Sequence, residues 1–285
     1  MPKNLYINNG KVGNVYWNGA KAKKVYFNNV LVFSGAFEFT YTGAYEVEGD
    51  LGGNFVIRFK TSGTLTITDK GDTGGAYDLF AVGGGGAGNH YNGSSQAGGG
   101  GGGGYTKTVK NLTISVGVGI SVVVGAGGAV VHSSTQAQGG TSSILTCNAS
   151  GGYGGAVLYD GTGGNGGSGG GGCVTEHNSS YGGGSNGSDG KGTFTSGKGQ
   201  GTTTAEFGEY GNLLYAGGGG GGGYGISGSS GGEGGGGNGA KINSGSGSPG
   251  VANTGGGGGG SSPGTWWEEQ KAVGGSGIVC IRNHR

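Results

Sequence analysis

Charge, proline and long apolar runs are all scarce in this chain of 285 residues. Charged residues make up 11% and proline occurs three times, whereas disordered chains are usually rich in one or both. The scarcity of proline also excludes a collagen-like helix, which needs proline together with a strict Gly-X-Y repeat. Lysine and arginine (16) nearly balance aspartate and glutamate (15), and no basic stripe of the kind that binds nucleic acid is present. We therefore expect no nucleic-acid partner.

Segments that would direct the chain to or across a membrane are also missing from the sequence. No apolar run approaches the roughly 20 residues of a membrane span. The first five residues, Met-Pro-Lys-Asn-Leu, contain no apolar signal core, so we expect synthesis in the cytoplasm without export. The three cysteines, Cys147, Cys173 and Cys280, are odd in number and far apart, which argues against a disulfide framework and allows assembly in a reducing compartment.

Glycine is the residue that the chain has in excess, with 85 positions, most of them between residues 83 and 260. Fixing a backbone residue costs about 1–2 kcal/mol, and glycine loses the most freedom. The region has too few apolar side chains to offset this cost by burial. It is either a low-complexity linker or a structure held by backbone hydrogen bonds. The second alternative predicts polyglycine-II helices, with three residues per turn, that pack side by side and exchange bonds with their neighbours.

Such a lattice constrains where side chains can occur. A helix at the centre must be all glycine, and an edge helix can carry a side chain only at every third position. Three pure runs are predicted at the centre: Gly98–Gly104, Gly217–Gly223 and Gly255–Gly260. Two series with polar residues at period three are predicted at wet edges: Thr162, Asn165 and Ser168, and Ser227, Ser230 and Glu233.

The first 34 residues contain a ten-residue repeat. Tyr6, Tyr16 and Tyr26 recur at this spacing, and each is followed two positions later by an asparagine. Each unit is a short run of β-forming residues before an Asn-rich turn, which favours antiparallel pairing. We predict a β-meander over 1–34 that buries little by itself. It is either an attachment module that docks on another protein or the first sheet of the domain that follows.

Alternating apolar and polar residues predict further strands within 36–82, 105–124 and 276–282. The closing strand lies almost two hundred residues after Phe80, beyond all the glycine runs. We therefore predict an all-β fold in which residues 35–285 form one β-sandwich, with an insertion of polyglycine-II helices over 83–260. The N-terminal β-meander precedes this sandwich.

No sequence motif indicates catalysis. Residues 166–170 match G-x-S-x-G, but glycine runs produce that pattern by chance and no strand precedes it. The four histidines are far apart, without the spacing of metal ligands. The carboxylates of Glu206, Glu209, Glu268 and Glu269 are read as solvated loop charges rather than as a glycosidase pair. We expect no enzymatic activity, no cofactor and no metal.

The order of the motifs resembles known glycine-rich domains. The relevant segments are Asp78–Gly86, the glycine run before Tyr105, Val124–Gly128 and Gly275–Val279. Their order is similar to that of phage and bacterial glycine-rich domains and, in structure only, to the glycine-rich region of the anaplastic lymphoma kinase family. The pure glycine runs, which alternate with short polar or aromatic segments, resemble the glycine-rich distal tail-fibre adhesins of T-even-like bacteriophages, in which polyglycine-II helices form a sandwich with variable loops at the tip. The N-terminal repeat resembles N-terminal modules of phage tail proteins.

The resemblance implies a receptor-binding protein of the virion tail that recognises a bacterial surface glycan or an outer-membrane protein. Residues 1–34 would then bind other tail or fibre proteins, and the chain would be a homotrimer like many fibres or a monomer like the tip adhesins. A structural tail or baseplate component and a non-phage extracellular matrix or cell-wall protein are the alternatives.

Aromatic residues between the glycine runs are the candidates for receptor binding, because loops on rigid scaffolds commonly carry recognition and aromatic rings give large contact areas. The candidates are His177, Tyr181, Phe207, Tyr210, Tyr215, Trp266 and Trp267. These rings either bind a partner or seal the glycine lattice from water. We expect the segments around 173–181, 203–216 and 261–270 to converge at one end of the molecule, since bulky residues are excluded from the packed interior.

Overall fold

The structure is a computed structural model that describes nine longer ranges and several short N-terminal strands. The ranges are 30–71, 75–89, 97–130, 137–156, 162–173, 204–225, 227–241, 245–262 and 272–283, and the short strands lie between residues 6 and 27. The elements of the described ranges are almost all β-strands, with one short 3₁₀ turn at Glu206–Gly208. Within these ranges no helix has the length and hydropathy of a membrane span.

The N-terminal repeat forms three antiparallel hairpins. Their strands are β1 (Tyr6–Ile7), β2 (Gly10–Lys11), β3 (Val15–Trp17), β4 (Ala20–Ala22), β5 (Lys24–Phe27) and β6 (Val30–Ser34). Each strand that contains a repeated tyrosine pairs with the next strand, with two residues between the innermost partners. The Asn-rich pairs of the repeat occupy these positions in the sequence, as predicted. Within the described residues the hairpins are three separate two-stranded sheets rather than one continuous meander.

Two antiparallel five-stranded sheets form the sandwich, which confirms the predicted all-β fold. Their strands are β7 (Glu38–Tyr41), β8 (Tyr45–Gly49), β9 (Phe55–Phe59), β10 (Gly63–Asp69), β11 (Ala76–Val82), β12 (Thr106–Thr113), β13 (Gly119–Val123), β14 (Ser142–Ile144), β15 (Cys147–Ala149) and β16 (Ile278–Asn283). The strand order is β15-β14-β13-β10-β7 in sheet 1 and β12-β11-β16-β9-β8 in sheet 2. The closing strand β16 lies between β9 and β11, so the last residues of the sandwich occupy the middle of sheet 2.

Alternation along β11 divides its side chains between two hydrophobic clusters. Tyr77, Leu79 and Ala81 face sheet 1 and belong to the main core, in which they are fully buried. Phe80 and Val82 point to the opposite face of sheet 2, where a second cluster covers them. Sheet 2 is therefore buried on both faces along β11 and β16, which explains why the sequences of these two strands are apolar almost without interruption.

The glycine run 98–104 shows the geometry of the lattice directly. Its amides at residues 98, 101 and 104 donate to carbonyls of the run 255–261, each at 2.8 Å. The amides between these three positions donate to two other neighbouring segments. Three further segments donate their own amides to carbonyls of the run 98–104. A bond to the same neighbour at every third residue is the signature of a helix with three residues per turn. The run is thus a polyglycine-II helix surrounded by six others.

Three runs have six hydrogen-bonded neighbours each: 83–89, 98–104 and 255–262. The runs 98–104 and 255–260 were predicted at the centre. The run 217–222, also predicted there, bonds to five neighbours among the described residues. Run 83–89 is central although it contains Ala87 and Asn89, so the expectation that a central helix must be all glycine was wrong. Both side chains are buried, close to the end of the run that is farther from the sandwich.

The two period-three series differ in their outcome. Ser227, Ser230 and Glu233 are exposed, as predicted for an edge helix with one wet face. In the other series Asn165 is exposed, but Ser168 is completely buried. Among the described residues the Oγ atom of Ser168 has no hydrogen-bond partner. The prediction of a wet edge at Ser168 was wrong because the chain turns after Asn165 and its next run lies against 98–104.

The sandwich strands continue directly into the lattice, which gives the molecule two distinct ends. The pairing of Val82 with Thr106 continues as bonds between the run 83–89 and residues 99–105. At the opposite end of the strands lie Asn283, paired with Tyr77, and Glu38, paired with Asp69. The chain therefore passes from the N-terminal hairpins into β7 at the end of the sandwich that is remote from the lattice. We call this end the base.

The opposite end of the lattice is the tip. It is defined by the hydrogen bonds that join Asn89 to Gly99, Gly98 to Ser261 and Gly88 to Ala272. A run of seven glycine-helix residues is about 22 Å long and a seven-residue strand about 23 Å. The tip is therefore about 45 Å from the base.

Replacing Gly220 by valine will abolish soluble folding. A Cβ atom at this position overlaps the backbone carbonyl oxygen of Ser229, and neither backbone can move without breaking lattice bonds. Overpacking by itself costs about 1–3 kcal/mol, and the lost hydrogen bonds add to this cost. Ser227→Val, on the exposed face of the neighbouring run, is the control and keeps the soluble yield and melting temperature of the parent. Equal behaviour of the two variants would contradict the lattice assignment.

Candidate functional site

A segment that returns from the lattice covers the outer face of sheet 2. We call residues 204–216 the cover segment. Its Phe207 and Tyr215 rings pack on Phe80 with centroid distances of 5.9 and 5.6 Å. Both rings are buried, at 1% and 5% exposure. Both were candidates either for contacting a receptor or for sealing the scaffold, and the structure packs each ring against sheet 2.

Two arginines from sheet 2 hold the cover segment in place. The guanidinium of Arg58 donates two bonds of 2.6 Å to the carboxylate of Glu206, which is buried, and a third of 2.6 Å to Glu48. Bonding to Glu206 raises the pKa of Arg58, against the opposing effect of burial. The hydroxyl of Tyr215 donates to the same glutamate at 3.2 Å. Burial raises the pKa of this tyrosine. A bidentate pair of this kind is geometrically specific as well as strong.

Arg282 makes the second anchor. Its guanidinium binds the buried carboxylate of Asp78 at 2.9 Å and also binds Glu209 of the cover segment. The same guanidinium lies 4.3 Å from the ring centre of Phe207, in cation–π geometry. The Nζ atom of Lys110 is 3.2 Å from Glu209. Bonding to Arg282 lowers the pKa of Glu209 to about 2, so this carboxyl stays ionised and is no general acid near neutral pH.

The cover segment is itself a tight hairpin. Ala205 bridges Leu214, the amide of Glu206 donates to the carbonyl of Leu213, and the side-chain amide of Asn212 donates to the carbonyl of Glu206. Phe207 has a left-handed backbone with φ of 57°, which turns its ring towards sheet 2. Tyr210 lies at the turn and is 95% exposed. Of the three candidate residues in this segment, Tyr210 alone has its ring accessible to a partner.

The predicted convergence of three segments at one end was wrong for one of them. The cover segment lies on the sandwich, with Glu209 bonded to Arg282 and Lys110 of sheet 2. Residues 173 and 262 are the last described residues before the other two segments. Both are at the tip, because the carbonyl of Gly171 accepts from the amide of Gly100 and Ser262 follows Ser261. His177, Tyr181, Trp266 and Trp267 lie outside the described residues. Tyr210 is therefore separated from the tip by the length of the lattice.

The three cysteines are free thiols in buried positions. Burial raises the pKa of Cys147 to about 11 and that of Cys280 well above its ordinary value. A thiol is reactive as its thiolate, so neither of these two is activated for chemistry. Within the described ranges, histidine, cysteine, aspartate and glutamate side chains do not gather in groups of three that could hold a metal ion.

Comparison with known families agrees with the architecture. The chain belongs to a family of glycine-rich domains, whose model matches residues 60–284. The matched part begins at the end of β9 and includes the whole lattice, the cover segment and β16. No curated protein sequence matches the chain. The predicted resemblance to a glycine-rich domain is thus confirmed.

Replacing Glu209 by glutamine will lower the melting temperature at pH 7 but not at pH 2. The pKa of Glu209 is about 2 in the folded chain, against an ordinary value of 4.5. A lowered pKa in the folded state contributes stability above pH 4.5, and this contribution is lost as the pH falls towards 2. Thermal melting of parent and variant at several pH values measures the difference. Glu233→Gln, at an exposed lattice edge, is the control and melts like the parent at pH 7.

Proposed function

We propose that the chain is a bacteriophage tail adhesin that binds the surface of the host bacterium at the tip of its glycine lattice. The observation that carries this proposal is the polarity of the molecule. The N-terminal hairpins enter at the base, whereas the segments that follow residues 89, 173 and 262 leave from the tip. Attachment to a particle at one end and recognition at the other is the arrangement that a tail adhesin needs.

The lattice suits this role because it is a platform whose stability does not depend on the connecting segments. The hydrogen bonds of its central runs join backbone to backbone, so the sequences between the runs can vary without altering the packing. Binding residues are commonly found on loops that a rigid scaffold positions. The segment 263–271 contains Trp266 and Trp267, and the segment 174–203 contains His177 and Tyr181. Indole and phenol rings stack on sugars and grip protein loops alike.

Trp266→Ala and Trp267→Ala are expected to lose cell binding without losing stability. A hot-spot anchor contributes about 2 kcal/mol or more, which corresponds to an affinity loss of about 30-fold. Binding of a fluorescent fusion to whole susceptible bacteria measures the first property, and thermal melting measures the second. Tyr153→Ala is the matched control, because Tyr153 is an exposed aromatic on the side of the lattice.

Two other outcomes would overturn the recognition role. Lowered melting with retained binding in the tryptophan variants would mean that the indoles seal the lattice. If the parent protein binds no strain that the particle infects, the chain is a structural tail component instead.

Deleting residues 1–34 tests the attachment role of the hairpins. The described core begins at Phe37, so the truncated chain is expected to melt like the parent and still bind cells. It is also expected to be absent from purified particles, because its link to the tail is gone. Immunoblotting of particles assembled with each version measures incorporation. Unfolding of the truncated chain would show that the hairpins belong to the sandwich and that the boundary at residue 34 is wrong.

A further inference from the structure

A cleft lies between the cover segment and the exposed part of sheet 2. Its volume is about 480 Å³, and it continues into a second hollow of about 310 Å³ beside β8 and β9. Glu48, Val56 and Arg282 line both parts. The cleft is in the half of the sandwich next to the base, because Val56 pairs with Arg282 and the following residue, Asn283, is at the base. It is thus remote from the tip, and a ligand bound in it would not depend on the adhesin role of the tip.

The charges that line the cleft nearly cancel. Arg58 and Arg282 face the carboxylates of Glu48, Glu206 and Glu209, and each of these carboxylates is bonded to one of the two guanidinium groups. With two guanidinium groups and three carboxylates the wall has a formal charge of −1, which disfavours an anion, and because each carboxylate is already paired it gives no strong attraction to a cation. It also disfavours a purely apolar ligand, which would desolvate the ion pairs without replacing their water.

Some N–H donors and carboxylate oxygens of the residues that line the cleft have no hydrogen-bond partner among the described residues. A guanidinium has five N–H groups, and the bonds of Arg58 within the described ranges use three of them. The side chain of Glu48 is 66% exposed, and among the described residues Arg58 bonds to its Oε2 but nothing bonds to its Oε1. The ion pairs hold these donors and acceptors in fixed positions before a ligand arrives, which lowers the entropic cost of binding.

Apolar groups complete the cleft. Val56 and Leu213 line it, and the side chain of Leu213 is 57% exposed. Tyr210 is between the lining residues Glu209 and Gly211 in the sequence but does not line the cleft itself, and its ring is almost fully exposed on a hydrogen-bonded turn. A rigid turn that presents a bare phenol ring offers a flat surface at low entropic cost.

We propose that this cleft binds an uncharged sugar. A pyranose ring combines hydroxyls, which the free atoms of Glu48 and Arg58 bond, with C–H faces, which Val56 and Leu213 contact. The volume is in the range of small-molecule sites and accommodates one or two sugar rings. The neutrality of the ligand follows from the balanced charges of the wall. The site is on the flank of the sandwich and would act separately from the tip.

Arginine side-chain NMR provides a direct test, because the chain contains three arginines, at positions 58, 282 and 285. Their Nε–H resonances are to be followed in the full-length protein during titration with the methyl glycosides of glucose, galactose, mannose and N-acetylglucosamine. At least one glycoside is expected to shift the Arg58 and Arg282 resonances in a saturable way. The backbone amide of Gly101, in a central run of the lattice, is the internal reference. If none of the four shifts Arg58 or Arg282, or if the Gly101 amide shifts equally, the proposal fails.

Two variants distinguish binding from stability. Glu48→Gln removes the exposed carboxylate and is expected to weaken the sugar affinity at least tenfold with an unchanged melting temperature. Glu46→Gln removes the neighbouring carboxylate, whose partner is Lys60 and which does not line the cleft, and is expected to bind like the parent. Equal affinities of these two variants would overturn the proposal. Whole-cell binding by Glu48→Gln reports on the tip separately, so failure of the sugar site and failure of the adhesin function are distinguishable.

Discussion

The fold depends on a single constraint, which is that at most positions no side chain fits between the central glycine runs. Each run approaches its neighbours closely enough for amides to donate to carbonyls on all sides, and an added Cβ atom would overlap a backbone carbonyl at almost every position of run 98–104. The constraint also allows neighbouring runs to be either parallel or antiparallel. Run 83–89 is antiparallel to 98–104 and parallel to 255–262, and both pairings use bonds of ordinary length. A β-sheet separates these two arrangements into different ladders, whereas the lattice accepts both.

The sandwich supplies what the lattice lacks, which is a hydrophobic core. Net backbone hydrogen bonding contributes about 1 kcal/mol per bond, similar to the entropy lost per residue, so the lattice is close to balance without other support. Sheets 1 and 2 fix the ends of several runs, because β11, β12, β13 and β16 each continue into a glycine segment. The cover segment ties the two parts together a second time. Its buried Glu206 is joined to Arg58 of sheet 2, and Ala216 bonds to Thr254 beside the lattice.

Much of this architecture was predictable because glycine runs and alternating strands follow simple geometric rules. The period of three placed Ser227, Ser230 and Glu233 on a wet face correctly. It was wrong for Ser168, since no local pattern shows that the chain reverses after Asn165. Strands β14 and β15 were missed because they are short and lie within the glycine-rich range 83–260. Nor does a local pattern show the left-handed backbone of Asn111, at φ of 58°, beside which the pairing of β12 with β11 shifts register.

The site was harder to predict than the fold. Aromatic residues in a glycine-rich segment have the same sequence signature whether they seal a sheet, like Phe207 and Tyr215, or stand free, like Tyr210. The arginine–carboxylate anchors join residues up to 204 positions apart, such as Asp78 and Arg282. Spacing in the sequence carries no information about such pairs. Glu206 was read as a solvated loop charge, and this interpretation was wrong, because its carboxylate is buried and bonded to Arg58.

The collinear arrangement of strands and glycine runs has a mechanical consequence. A force that separates base from tip acts along the strands of both sheets and along the runs that continue them. The hydrogen bonds between neighbouring strands and between neighbouring runs are then loaded in shear, many at a time, instead of opening one after another from an end. Resistance to extension in this direction grows with the number of runs side by side, and the lattice packs six around each central one. A molecule built in this way is stiffest along its own long axis.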